Sequence, residues 1–473
     1  MKYFFYIFFA IIFCGYSGCI SNQGGSSDFS NDIQPYAVNL KYWQHKGQPV
    51  LLLGGSNNDN LFQSLDVEEQ LDLLQQVGGN FVRNTMSSRD SGDVWPFFRM
   101  EDGKYDLNKW NGEYWAKFEK LLKLTAERNI IIQIEVWDRF DYSMEWWPLN
   151  PFNPANNINY SEEECGMATE YTKHPSSDLQ PFFHSINEMP NYSPALGIVK
   201  KYQEKLVDKM LSYALNYGNV LYCMDNETST PPEWGLYWMR YIKNKAGEKQ
   251  VYTTDMFDHF FRPNSCEACK QAISNSEEYL FLDVSQNNSR NFNQAHWDTF
   301  QWIVNERDKY ALRPINCTKT YGGGNSTWGS GSNQDGVDRF CRSVIGGCAA
   351  VRHHRPTAGN GLNEKAQATI KSLRKVESLV KMWEVEPRME LLSEREENEA
   401  YLTASEGDKY VVLFPSGGSV KINVINYNKE FSGKWISITT GEWGEEFSVT
   451  GGADVEVATP DDSGWFAVLF NAN

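Results

Sequence analysis

Apolar residues along this chain fall into two rhythms. From residue 49 to about 388, short apolar runs alternate with longer stretches whose apolar positions recur every three or four residues. The runs at 50–54, 81–85, 130–137, 220–224, 251–254, 280–284, 314–318 and 349–353 read as buried strands. Between them, residues 67–77, 115–128, 197–217, 234–245, 297–310, 336–344 and 363–383 carry the helical period. Such alternation implies parallel strands joined by helical crossovers, and eight units in about 340 residues is the size of a (β/α)8 TIM barrel. A doubly wound open sheet shares the rhythm, but it wants a Gly-rich phosphate turn after the first strand. Gly54-Gly55-Ser56-Asn57-Asn58-Asp59 is a poor match.

After Glu386 the pattern shifts to period two, with runs at 410–414, 420–424, 435–438, 447–449, 455–457 and 465–470 separated by Pro, Gly and Asp turns. This spacing predicts a small C-terminal antiparallel β-sandwich. Nothing in it stands out as a site, so bracing the barrel is preferred to glycan binding. The expected layout is a leader at 1–18, a flexible tether at 19–36, the barrel at 37–388 and the sandwich at 389–473.

The leader has its own pattern. Lys2 precedes a nearly continuous apolar stretch over residues 3–13, followed by Tyr16-Ser17-Gly18-Cys19. A charged start, a short hydrophobic segment and a small-residue cleavage site describe a secretory signal peptide, not a membrane span. The Ser-Gly-Cys ending resembles the lipobox of bacterial lipoproteins, which implies lipidation of Cys19 and a polar tether over 21–32. Ordinary secretion with cleavage nearby is the alternative. Either way the protein is expected to leave the cytoplasm, with the lipid-anchored form on the outer membrane, and membrane contact only through that anchor.

The 473 residues carry a formal charge of −17, which argues against nucleic acid as a partner. Aromatic residues make up 14% of the chain, with 16 Trp, and many sit in polar contexts such as Trp137-Asp138-Arg139-Phe140 and Glu145-Trp146-Trp147. Such side chains can stack on the C–H faces of sugar rings while their neighbours bond hydroxyls, or they can simply fill a core. Cys266-Glu267-Ala268-Cys269 has the spacing of half a zinc site, but there is no second pair. Helical packing or one local disulfide is the simpler reading, and neither metal nor cofactor is expected.

The longest insertion, 138–192, follows the third strand and is rich in Asn, Pro and aromatics. In a barrel it would lie on the C-terminal face and wall the substrate cleft. Asn226-Glu227 ends the apolar run of the fourth strand. A carboxyl at a strand end can be desolvated enough to hold a proton near neutral pH and still touch substrate, as a general acid must. The competing reading makes the pair an N-cap for a helix opening at Pro231-Pro232-Glu233.

Alternation along the third strand turns Gln133, Glu135 and Trp137 toward the barrel axis, and Asp283 stands near the end of the sixth strand. Glu135 and Asp283 are therefore the candidate second carboxyls; Asp255 and Asp138 are weaker. Each of them could instead be a structural salt-bridge or capping residue. Arg83 ends the second strand, where a guanidinium could orient a carboxylate. Arg352-His353-His354-Arg355 closes the eighth, where His354 and Arg355 could bind sugar hydroxyls or anionic groups.

These residues together resemble the clan A (β/α)8-barrel glycoside hydrolases. Pro49-Val50-Leu51-Leu52-Leu53-Gly54-Gly55-Ser56 with Gly78-Gly79-Asn80-Phe81-Val82-Arg83 looks like the apiosidase-like branch of polysaccharide-degrading bacteria. The resemblance implies hydrolysis of a polysaccharide or its oligosaccharides, with Glu227 as acid/base and Asn226, Arg83, Trp137, Lys319, Tyr321, His354 and Arg355 around the sugar. It also implies a Glu nucleophile near the end of strand seven. That position holds Lys319, in Cys317-Thr318-Lys319-Thr320-Tyr321, and an ammonium cannot attack an anomeric carbon in the usual retaining way. Two consequences are open: another carboxyl, Glu135 or Asp283, takes the second role, or the chain is an inactive glycan-binding lipoprotein on the same barrel.

Overall fold

The computed structural model describes residues 30–177, 180–264 and 266–471. Eight parallel strands form the core: β1 Leu52–Gly55, β2 Phe81–Thr85, β3 Ile131–Asp138, β4 Val220–Asn226, β5 Thr253–Thr254, β6 Leu282–Asp283, β7 Ile315–Thr320 and β8 Ala350–His353. The pairing runs in the order β5-β4-β3-β2-β1-β8-β7-β6. The seam between β5 and β6 is closed by Leu280 N donating to Thr253 O at 2.9 Å and by Thr254 Oγ1 donating to Phe281 O at 2.7 Å. A (β/α)8 barrel results, as the alternation predicts.

Local sequence explains where the elements stop. At Gly54 a Cβ would meet the Phe81 carbonyl oxygen at 1.8 Å, so β1 and β2 approach this closely only because residue 54 is glycine. The helix over Asn333–Ile345 begins earlier than periodicity suggests, because Ser332 and Asp335 form a reciprocal capping box. A helix at Glu267–Ser274 is too short to show a period in the sequence, and Cys266 and Cys269 are joined by a disulfide at its start. Among the described residues no helix is long and apolar enough to cross a membrane.

The entry to the barrel departs from the expected layout. Strands Gln34–Tyr36, Asn39–His45 and Gln48–Val50 form an antiparallel sheet ahead of β1. Residues 33–36, expected in the tether, are therefore ordered, with Ile33 buried and its N–H bonded to Gly218 O at 2.7 Å. From this sheet the fully buried Trp43 donates its indole N–H to Asn316 Oδ1 at 2.9 Å and packs edge-on against Tyr252 and Phe281. It closes the N-terminal end of the barrel. The leader and Cys19 lie outside the described residues.

The period-two segments form a six-stranded and a three-stranded antiparallel sheet that pack as the expected sandwich. This unit leans on the last two barrel helices: Ser372 Oγ on Glu364–Leu379 donates to Ser437 O at 2.8 Å, and Arg342 on Asn333–Ile345 donates to Asn398 Oδ1 at 3.1 Å.

Candidate active site

At the C-terminal mouth of the barrel lies a cleft of about 660 Å³. Its lining includes Asp59 after β1, Asn226 at the end of β4 and Glu227 just past it, Asp258 after β5, Gln286 after β6, Lys319 and Tyr321 at the end of β7, and His354 and Arg355 after β8. Phe140, Met144, Glu145, Trp146 and His174 of the long insertion supply one wall, as its position predicts.

Glu227 stands just past β4 in a left-handed backbone conformation, φ 58°, and its side chain is 19% exposed. It is no helix cap: the following helix, Pro232–Ala246, begins after Pro231 without a capping side chain. Its Oε1 accepts from Lys319 Nζ at 2.7 Å, Gln286 Nε2 at 2.7 Å and the Tyr321 hydroxyl at 2.9 Å. Burial pushes this carboxyl up, yet the Lys319 ammonium, the Tyr321 hydroxyl and the nearby Arg83 together outweigh it and hold the group at about 2. The expectation of a resting proton donor at this position is therefore corrected. Glu227 is a carboxylate at neutral pH, because the residue at the expected nucleophile position is a cation in contact with it.

Beneath the floor, Arg83 is completely buried and joins three strands. Its Nε donates to Glu135 Oε1 at 2.5 Å, one terminal nitrogen pairs with Asp59, and the other donates to Asn226 Oδ1 at 2.9 Å. Asn226 also accepts from Lys319 and donates to Asp138 Oδ2 at 3.0 Å. Its amide oxygen thus accepts two bonds and one of its two N–H groups is spent on protein. Asp59 also forms an ion pair with Arg355, whose Nε lies 2.7 Å from Oδ2, and His354 Nδ1 is 3.8 Å from Oδ1. Burial would raise the Asp59 carboxyl, but the guanidinium groups of Arg83, Arg355 and Arg352 hold it well below the usual range. Burial, with Arg83, Lys319 and Arg352 adding, drives the His354 imidazole well below its ordinary value, so it is neutral.

The sequence-based second carboxyls do not reach the cleft. Glu135 is fully buried under Arg83; burial pushes it up and Arg83 offsets only part of that. Asp283 is consumed by Gln133 Nε2 at 2.8 Å, Thr318 Oγ1 at 2.7 Å and the Ser285 N–H at 3.0 Å. Both lie in the polar filling of the barrel. Trp137 is also displaced from its expected place. Gln133 and Glu135 do face the axis, but the next residue to do so is Asp138, which meets Asn226 and Arg89. Trp137 instead packs its ring among Phe182, Trp234 and Trp238, away from the axis, with its indole N–H buried without a partner among the described residues. Asp255 accepts the N–H groups of Asp225 and Met256 at 3.1 and 2.9 Å and acts as a strand-end clamp.

A carboxyl that periodicity misses also lines the cleft. Asp258 lines the cleft four residues past the two-residue β5, and backbone bonds tie its loop to that of Glu227: Asp258 N donates to Thr228 O at 2.9 Å, and Thr228 N to Met256 O at 2.8 Å. Burial raises the Asp258 carboxyl and the charge of Glu227 raises it further. The only signal in the sequence was its place after the fifth strand. Among the described residues, no group of three or more His, Cys, Asp or Glu side chains could hold a metal ion.

No protein-family model and no curated protein matches the chain. Among solved structures, a family 5 glycoside hydrolase from Bacteroides vulgatus is similar over 93% of this chain and 94% of its own, with a TM-score of 0.63 and 13% identity. A protein described as a glycoside hydrolase is similar over 94% and 97%, with a TM-score of 0.62 and 11% identity. An alpha-amylase from Geobacillus thermoleovorans, complexed with acarbose, is similar over 88% and 93%, with a TM-score of 0.52 and 10% identity. At these identities the likeness is one of fold, and with the first two it spans barrel and C-terminal sheets together.

Proposed function

We propose that this protein is a glycoside hydrolase acting on a polysaccharide or its oligosaccharides, with Glu227 as the ionised carboxylate and Asp258 as the proton donor. The observation that carries the reading is a pair of carboxyls on one cleft whose surroundings drive their proton affinities apart, one ionised beside Lys319 and one raised by burial and by its neighbour. Asp258 would protonate the departing glycosidic oxygen as its bond to the anomeric carbon breaks. Glu227 would attack that carbon or take a proton from the water that does. Lys319, Gln286 and Tyr321 orient Glu227 and keep it charged. The glycoside hydrolase fold of the solved neighbours supports the reaction class. Membership of the apiosidase-like branch, and export as a protein lipidated at Cys19, rest on the sequence motifs alone.

The test uses leaving groups. Asp258→Asn should lose roughly 100- to 10,000-fold on unactivated glycans and far less on dinitrophenyl glycosides, whose leaving group needs no proton. Glu227→Gln should lose activity on both. Equal losses for Asp258→Asn on the two substrate types would remove it from the proton-donor role.

A second reading, glycan binding without hydrolysis, is favoured by the contact between Lys319 and Glu227, since a carboxylate held by a cation is a weaker nucleophile. It predicts retention of glycans on an affinity gel with no release of reducing ends, unchanged by Glu227→Gln.

A further inference from the structure

The residues after β7 break the ordinary rules of backbone conformation. Gly322, Gly323, Gly324, Asn325, Ser326, Trp328, Gly329 and Gly331 all have φ between 55° and 135°. Glycine occupies most of these positions without strain, but Asn325, Ser326 and Trp328 do not have that freedom, and a bulky side chain at φ 57° is uncommon. Such a conformation persists only where the surroundings over-determine it.

They do so here from several sides. Gly322 N donates to Ala358 O at 2.8 Å, and Gly323 N to Gly331 O at 3.1 Å. Arg339 donates to the carbonyls of Tyr321 at 3.0 Å and Ser330 at 2.6 Å. Arg290 Nε donates to the carbonyl of Trp328 itself at 3.1 Å. At Gly324 a Cβ would stand 1.8 Å from Thr357 O, so the loop lies flat on the segment after β8 and cannot lift without losing that fit.

All this fastening presents one side chain. Trp328 is 52% exposed, lines the cleft, and stands edge-on to Tyr321 with ring centroids 6.4 Å apart. Tyr321 in turn donates to Glu227. The indole is thus a large apolar plate one ring away from the reactive carboxylate, in a cleft whose other lining is mostly charged or polar. A core role is excluded by its exposure.

We infer that Trp328 is a stacking platform for a sugar ring of the substrate, a binding residue set in place by the strained loop over residues 322–331. The inference deepens the proposed carbohydrate function and rests on it for the ligand class. Sugar rings offer a flat C–H face to an aromatic plate while their hydroxyls reach the polar groups around it. A plate on a fixed loop loses less freedom on binding than one on a mobile loop.

The experiment measures binding apart from turnover. Cellotetraose, mannotetraose, xylotetraose and tetragalacturonate are titrated calorimetrically into Glu227→Gln, and into Glu227→Gln carrying Trp328→Ala, Trp328→Phe or Gly324→Ala. For at least one of these probes Trp328→Ala should weaken Kd by about tenfold or more, the equivalent of ~1.4 kcal/mol. Trp328→Phe should recover most of the loss, and Gly324→Ala should weaken binding with residue 328 unchanged. Hydrolysis by the otherwise unaltered chain, followed in parallel, reports on the enzyme reading by itself. Binding lost with Trp328→Ala in a protein that hydrolyses none of the probes would uphold the platform and defeat the enzyme. Hydrolysis with unaltered Kd in Trp328→Ala would do the reverse. Failure of all four probes to bind would overturn the platform.

Discussion

Replacing Lys319 by Met isolates the interaction on which the cleft turns. The ammonium lies 2.7 Å from Glu227 Oε1, and at an effective dielectric constant of about 20 that separation corresponds to about 6 kcal/mol of attraction. Burial opposes it. What survives is the displacement of the Glu227 carboxyl from its ordinary 4.5 to about 2, worth about 3 kcal/mol. With Lys319 gone, Gln286 and Tyr321 still donate to the carboxylate, but no cation touches it.

The pH dependence of stability should then change sign. In the natural chain the folded carboxyl is depressed, so its contribution is present above about 4.5 and is lost as pH falls toward about 2. In Lys319→Met, burial without the ammonium leaves the folded carboxyl above its unfolded value, so the contribution is present at low pH and lost as pH rises. At neutral pH the variant should be about 3–5 kcal/mol less stable, the usual result of stripping one partner from a buried pair. Adding Glu227→Gln should recover most of that. Thermal unfolding of the natural chain, Lys319→Met and the double variant, followed from about pH 3 to pH 8, makes the comparison. If the melting profile of Lys319→Met runs parallel to that of the natural chain, the assignment of Glu227 as a cation-held carboxylate is wrong.

Three further outcomes are expected from the same structure. Hydrolysis should require Glu227 ionised and Asp258 protonated, so activity should rise through about 2, persist in acid, and fall as pH passes the raised Asp258 value; Asp258→Asn should abolish that basic limb, as a pH–rate profile would show. Arg83→Met leaves Asp59 and Glu135 buried without their shared cation and should cost about 3–5 kcal/mol, read as a fall in Tm, whereas a surface-like effect would disprove its role as the strut under the floor. Trp43→Ala should cost a similar ~3–5 kcal/mol by opening a void at the closed end of the barrel, with KM for substrate unchanged because the cleft lies at the opposite end.

All eight barrel strands stand on the apolar runs that announce them, but their lengths differ from those runs. β3 and β4 are eight and seven residues and stand where periodicity puts them, whereas β5 and β6 shrink to two residues each. That loss explains why Asp258 is not legible: a short strand gives no alternation from which to orient the residues beyond its end. Lys319 was legible as an unexpected residue at its position. Its partner was not, because β4 and β7 meet across the barrel and nothing local encodes that contact. Glu135 and Asp283 show the opposite error. Both face inward as alternation demands, but facing the axis of a filled barrel means burial under the floor rather than exposure at the mouth. Trp137 shows that a period of two fails where a large ring finds better packing outside.

The polar lattice under the cleft has a consequence for how such a protein can be altered. Arg83, Asp59, Glu135, Asn226, Asp138 and Arg89 alternate in charge or dipole and cross-link the rim; Asp138 ends β3, and no residue of the insertion beyond it or of the glycine loop belongs to this set. The molecule therefore divides into a rigid chassis and interchangeable walls. Grafting a foreign segment over 143–192 or 322–331 should re-tool what the mouth accepts and leave the chassis standing, whereas one apolar residue within the lattice would be felt on several strands at once.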